Sequence, residues 1–248
     1  MILDIYKDAM EYSFQDGKRL IKLGIICLFN FLILPIFLEL GYSYRVTKVA
    51  VKGMINGRDE LPDFSDAISM FIDGLKVFVV KFIYLIVPII IFVIFMWAGR
   101  SVGGSFGEVL IILGVIIGVV LGVVAYILSD LGVCHMAAND ESLSTAFDVK
   151  SLRAIAKSIG WLRLIGFYIG LILIMLIISI IVIIVLVIVF GIIGAVTGFI
   201  AGGAGILGVI GVATVVVFAI FCFIVGPFLT IFEARSIGLV YNLKEFEE

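Results

Sequence analysis

The sequence predicts an all-α, polytopic transmembrane helix bundle, and three observations carry that reading. Of 248 residues, 63% are hydrophobic and 15% charged, against roughly 45 to 50% and about 25% in an ordinary soluble domain. That is more apolar surface than one globular core hides. Four stretches reach the roughly 20 apolar residues needed to cross a hydrocarbon core about 30 Å thick: Val77 to Trp97, Val109 to Leu128, Leu164 to Phe190 and Gly205 to Phe232. Glycines then group these stretches in pairs. Gly99, Gly103, Gly104 and Gly107 lie between the first two, and Gly191, Gly194, Gly198, Gly202, Gly203 and Gly205 interrupt the run from Leu164 to Phe232, which holds no Asp, Glu, Lys or Arg. Two long helical hairpins follow, over 77–128 and 164–232, within a single integral membrane domain, 1–248.

The segment 20–40 is harder to place. It is long enough to span, yet it contains Asn30 and Pro35 and carries Glu39 at its end. Cytoplasmic loops collect Lys and Arg. These residues fall as four in the first 22 positions, six from Gly41 to Lys81 (Arg58 among them), four from Ser129 to Arg163 and two in the tail, while Arg100 alone lies in a hairpin tip. A full crossing by 20–40 divides the basic residues five against twelve; a re-entrant segment bent near Asn30 and Pro35 divides them sixteen against one. The count favours re-entry, with a fifth span as the alternative. Both termini then face the cytoplasm from a multi-pass position in the cell membrane, and 233–248 forms a cytoplasmic tail. Asp4, Asp8, Glu11 and Asp16 precede the first apolar run with no small-residue cleavage site after it, so no cleaved signal peptide is expected.

Three amphipathic interfacial helices, 1–19, 63–75 and 142–160, precede the apolar blocks. Leu3, Tyr6, Met10 and Phe14 recur at helical spacing in the first, and Phe64, Ala67, Ile68, Phe71 and Leu75 in the second. Asp63 is the expected N-cap of the second, and Gly17 and Gly74 are expected to stop their helices before the membrane. The third copy runs through Ala146, Phe147, Leu152, Ile155, Ala156 and Ile159 and stops at Gly160. Such helices lie at the headgroup boundary with their charges in water.

The residues lead away from several function classes. A net charge of −2 offers no basic field for nucleic acid. Three cysteines and one histidine supply neither a disulfide framework nor a zinc site. No phosphate loop, nucleophile elbow or His-Glu-x-x-His motif occurs. His135, near Asp130 and Cys134, reads as structural, and Cys27 and Cys222 as small hydrophobes. A non-enzymatic protein is expected, with no catalytic residue, cofactor or metal.

Two groups of candidate residues remain. Lys81 lies five residues into a span, where an ammonium either snorkels or marks a site; Asn30, Glu39, Lys81 and Tyr84 form the candidate polar intramembrane cluster, with Lys81 pairing with Glu39, or Lys81 and Tyr84 lining a cavity beside Asn30. Gly114, Gly118 and Gly122, then Gly194, Gly198 and Gly202, repeat every four residues, the spacing that lets helix backbones approach closely within the chain or between copies. The last two spans offer a pore only Ser179, Thr197, Thr214 and Thr230, too little polarity for a wide aqueous channel.

Leu40-Gly41-Tyr42 followed by Arg45, Leu61-Pro62-Asp63-Phe64, Phe71-Ile72-Asp73-Gly74-Leu75-Lys76, Tyr84 with Pro88, and Ala146-Phe147-Asp148 resemble the membrane family catalogued as domain of unknown function 4013, over roughly residues 1 to 165. That resemblance implies an integral membrane protein of a family common in archaea, and no catalytic residues to carry over. More distantly, the plan is similar to the membrane region beside some glycerophosphodiester phosphodiesterases, whose catalytic domain has no counterpart here. The expected role is a lipid- or partner-binding membrane scaffold. The alternative is a small-solute or lipid transporter or channel, assembled as a homo-oligomer through the glycine stripes. Expected partners are membrane lipids, a second copy or another membrane protein, and no nucleic acid.

Overall fold

The computed structural model describes residues 1–57 and 59–246. Arg58, counted above among the basic residues, and the last two residues of the expected tail lie outside that range. The described residues are mostly helical, with no strand among them. In order it forms α1 (Ile2–Ser13), α2 (Gly17–Leu28), α3 (Leu34–Lys52), α4 (Ala67–Val102), α5 (Gly104–Ala138), α6 (Val149–Ile159), α7 (Trp161–Ile220) and α8 (Gly226–Tyr241).

Three helical stretches are long and apolar enough to cross a membrane: Ala67–Val102, Gly104–Ala138 and Trp161–Lys244. The first two form the first hairpin, reversing at Gly103 and Gly104, where Gly99 meets Gly107, and Phe95 and Phe92 lie over Gly114 and Gly118. The third stretch is itself a hairpin. It breaks at Gly202, with φ 64° and ψ −152°, a conformation open essentially to glycine alone, so that Val209 returns past Gly194 and Ile206 past Gly198. The return arm passes a π turn, Phe221–Val225, before α8. The most apolar windows of the three stretches are 17%, 17% and 0% buried. Such outward-facing apolar surface suits lipid and is unfavourable in water.

The packed core sits at the base, where both hairpins begin and end. Ile5, Tyr6 and Ala9 of α1, Leu131 and Cys134 of α5, Leu152 and Ala156 of α6, Phe167 of α7, and Phe232 and Val240 of α8 share one cluster. Helices α3 and α4 cross in near contact: a β-carbon at Gly74 would strike the Phe37 carbonyl, and one at Gly41 the Met70 carbonyl.

Several expectations change. The 20–40 segment is not one helix. α2 ends at Leu28, a 3₁₀ turn covers Asn30–Leu32, Ile33 takes φ 68°, and α3 starts with Pro35 in its first turn, where its missing N–H costs nothing. The helix is therefore interrupted between Leu28 and Leu34, around Asn30 and just before Pro35. Gly74 stops no helix: α4 runs through it, and its lack of a side chain serves the crossing with α3. The N-cap of α4 is Asp66, whose carboxylate accepts the Ser69 N–H at 3.1 Å, instead of Asp63, which receives Arg19 at 2.8 Å.

The amphipathic faces shift as well. In α1 the buried apolar set is Ile5, Tyr6, Ala9 and Tyr12, with Asp8 and Ser13 buried beside it, while Leu3 and Phe14 are exposed; α8 covers that face, so protein takes the place expected of headgroups. In 63–75, Met70, Asp73 and Gly74 are buried and Ile68 exposed. The third copy keeps its pattern, with Leu152, Ala156 and Ile159 turned into the core and Gly160, at φ 93°, ending the helix. The expected tail is instead largely helical, and Arg235, Leu239, Val240 and Tyr241 within it are buried.

Candidate functional site

Between α3, α4, α5 and α8 the base of the bundle holds a partly open cavity of about 140 Å³, lined by charged, hydroxyl-bearing and apolar side chains. Helical spacing builds each wall. Glu39, Ser43 and Thr47 recur every four residues along α3, and Val77 and Lys81 do so on α4; Asp130 and Val133 come from α5, and Thr230, Glu233, Ala234 and Ile237 from α8. Lys81 Nζ lies 2.9 Å from Asp130 Oδ1, and Tyr168 OH donates to Asp130 Oδ2 at 3.1 Å. Glu39 receives Asn30 Nδ2 at 2.5 Å and Thr230 Oγ1 at 2.8 Å, and Tyr126 OH donates to Glu233 Oε1 at 2.8 Å. Every carboxylate is thus held by at least one donor, which fixes its direction and offsets part of its desolvation. Three carboxylates still face one ammonium.

The four residues of the expected polar cluster do not converge as a unit. Glu39 and Lys81 border the same cavity, and Asn30 reaches it through Glu39. Lys81 takes Asp130 as its ion-pair partner in place of Glu39. Tyr84 points elsewhere: its hydroxyl donates to the Ala146 carbonyl at 2.9 Å and its ring stacks on Phe147. It lines a separate apolar groove with Val87, Pro88, Leu121 and Val149. Neither Asp130 nor Glu233 stood among the candidates. A signal for them exists, since Lys81, Asp130 and Glu233 all lie at the base ends of apolar stretches, and helices that start and finish together bring such charges together.

Four of the six stripe glycines meet side chains of the same chain. Gly114 and Gly118 receive Phe95 and Phe92, and Gly194 and Gly198 receive Val209 and Ile206, while Gly122 and Gly202 face open space. His135 Nδ1 lies 2.8 Å from Tyr241 OH, tying α5 to α8.

A second buried charge group braces the base. Arg235, 0% exposed, donates through Nε to Asp8 Oδ1 and through a terminal nitrogen to Asp59 Oδ2, both at 2.8 Å, and lies 4.5 Å from the Tyr12 ring centroid. Asp8 Oδ2 also accepts the Asn56 N–H at 2.6 Å. Burial pushes the Tyr12 phenol above its ordinary value, with Arg235 opposing, so Tyr12 stays neutral beneath the guanidinium. At the surface, Lys48 donates to Glu141 at 2.8 Å and holds that carboxyl below its ordinary value.

Fold and site together define an all-α protein with three stretches able to cross a membrane and a charged cavity at the base of its hairpins, an arrangement that fits a multi-pass membrane protein. The family described as protein of unknown function, DUF4013, matches residues 24–187, most of the chain, and the chain belongs to that family. The match takes in Asn30, Glu39, Lys81, Tyr84 and Asp130 and stops short of Thr230, Glu233 and Arg235. No curated protein and no solved structure matches the chain.

Proposed function

We propose that this protein binds a small solute at the base of its hairpins and carries it across the membrane, with the cavity between α3, α4, α5 and α8 as the binding site. One observation carries the reading: Glu39, Lys81, Asp130 and Glu233, from four helices, border one partly open cavity. Ionisable groups inside a membrane domain are costly and concentrate on solute and ion paths, and a structural role alone would be served by apolar packing at less cost.

The test uses the purified full chain in proteoliposomes, with currents recorded on solid-supported membranes after concentration jumps of small amines, amino acids and inorganic cations. Wild type gives a saturable current for at least one solute, and Lys81→Ala and Glu39→Ala abolish it while leaving monodisperse protein. Silence across the whole panel removes the transport reading and leaves the scaffold reading. A specific feature favours that second reading: the apolar groove lined by Tyr84, Pro88 and Val149 adjoins α6, whose Lys150, Arg153 and Lys157 are exposed and suited to anionic headgroups. Native mass spectrometry from mild detergent reports retained lipid and subunit count together, and thereby also tests assembly as a homo-oligomer or with another membrane protein.

A further inference from the structure

We infer that the cavity at the base selects a primary ammonium group, on a ligand portion of about six non-hydrogen atoms or fewer; this deepens the solute-binding reading above and rests on it. The charge balance comes first. Glu39, Asp130 and Glu233 meet one lysine there, so with all four ionised the site holds two negative charges in excess. Buried charge is tolerated when paired and costly when not, so the excess is relieved by a proton or by a bound cation, and in the ionised state the site is complementary to a cation.

The spacing of the acceptors selects the kind of cation. Among the described residues, no group of three or more His, Cys, Asp or Glu is placed to hold a metal ion. Glu39 and Glu233 approach from different helices, each anchored by its own donor, Thr230 for the first and Tyr126 for the second. A primary ammonium carries three N–H donors that diverge, and divergent donors suit acceptors set apart around a space. A metal ion needs them within one tight shell.

Size sets the upper limit: a cavity of about 150 Å³ accommodates benzene, with six carbon atoms, and this one measures about 140 Å³. The ammonium can come from a free amine or from the ethanolamine headgroup of a phospholipid.

The experiment measures thermal unfolding of the purified full chain in two arms at constant ionic strength. In detergent the probes are ethylammonium, with tetrabutylammonium and sodium as controls; in nanodiscs, phosphatidylethanolamine is compared with phosphatidylcholine. Ligand at about ten times its dissociation constant should raise the midpoint by about 3 °C. A rise with ethylammonium identifies a free amine; a rise confined to phosphatidylethanolamine identifies the lipid. Either supports the inference, provided Glu39→Gln and Glu233→Gln each remove it. No rise in either arm, an equal rise with tetrabutylammonium or sodium, or a rise unchanged in both variants overturns the inference. Because this readout is binding, it separates from the transport reading: binding without flux removes transport, and flux of other solutes without ammonium binding removes the ammonium.

Discussion

Replacing Arg235 by alanine is the sharpest test of how the base is held together. The guanidinium is 0% exposed, makes two charged hydrogen bonds of 2.8 Å and lies over the Tyr12 ring. Its loss leaves Asp8, whose side chain is 4% exposed, without its cation, whereas Asp59, at 28%, can partly rehydrate. Breaking a buried pair by removing one partner costs about 3–5 kcal/mol; with Asp59 half relieved, about 4 kcal/mol is expected. For a chain of this size each kcal/mol moves the midpoint by about 2–4 °C, so thermal unfolding in detergent should fall by about 10 °C. Arg235→Lys restores charge without the two-armed geometry and should recover about half of the loss. In the Asp8→Asn, Arg235→Met double variant neither charge remains, and the cost should fall below the sum of the single changes. A midpoint for Arg235→Ala within about 1 °C of wild type, or strictly additive single changes, would refute the account.

Two further outcomes follow from the same geometry. Gly74→Ala places a β-carbon against the Phe37 carbonyl and should cost about 1–3 kcal/mol, read as a lower midpoint; an unchanged midpoint would show that α3 and α4 separate freely. The Lys48 ammonium holds the Glu141 carboxyl below its ordinary value, so its contribution to stability is complete above the unfolded value of about 4.5 and is lost as pH falls through the lower folded value. Hydrogen exchange after α5, around residues 139–148, should therefore accelerate below about pH 4, and Glu141→Gln should flatten that dependence.

What the sequence determined by itself was whatever depends on neighbours along the chain. Apolar length marked both hairpins, and Gly103 and Gly202 turn where glycine clusters said they would, because a positive φ at a tip is a local demand. The break after Leu28 was legible for the same reason, since Asn30 and Pro35 act on their own backbone. Gly160 ended its helix as a C-cap glycine does. Gly74 was misread because glycine has two uses, ending a helix and admitting a neighbour, and only the position of Phe37 separates them.

Tertiary structure alone decided which charges meet. Thr230 and Glu39 are 191 positions apart, and Arg235 and Asp8 are 227 apart. No periodicity connects residues at such separations, because pairing among helices is set by how their ends are gathered at the base. The cavity is therefore a property of the assembled bundle: each helix supplies only a few polar side chains at ordinary helical spacing, and the excess negative charge exists only where four helices bring them together.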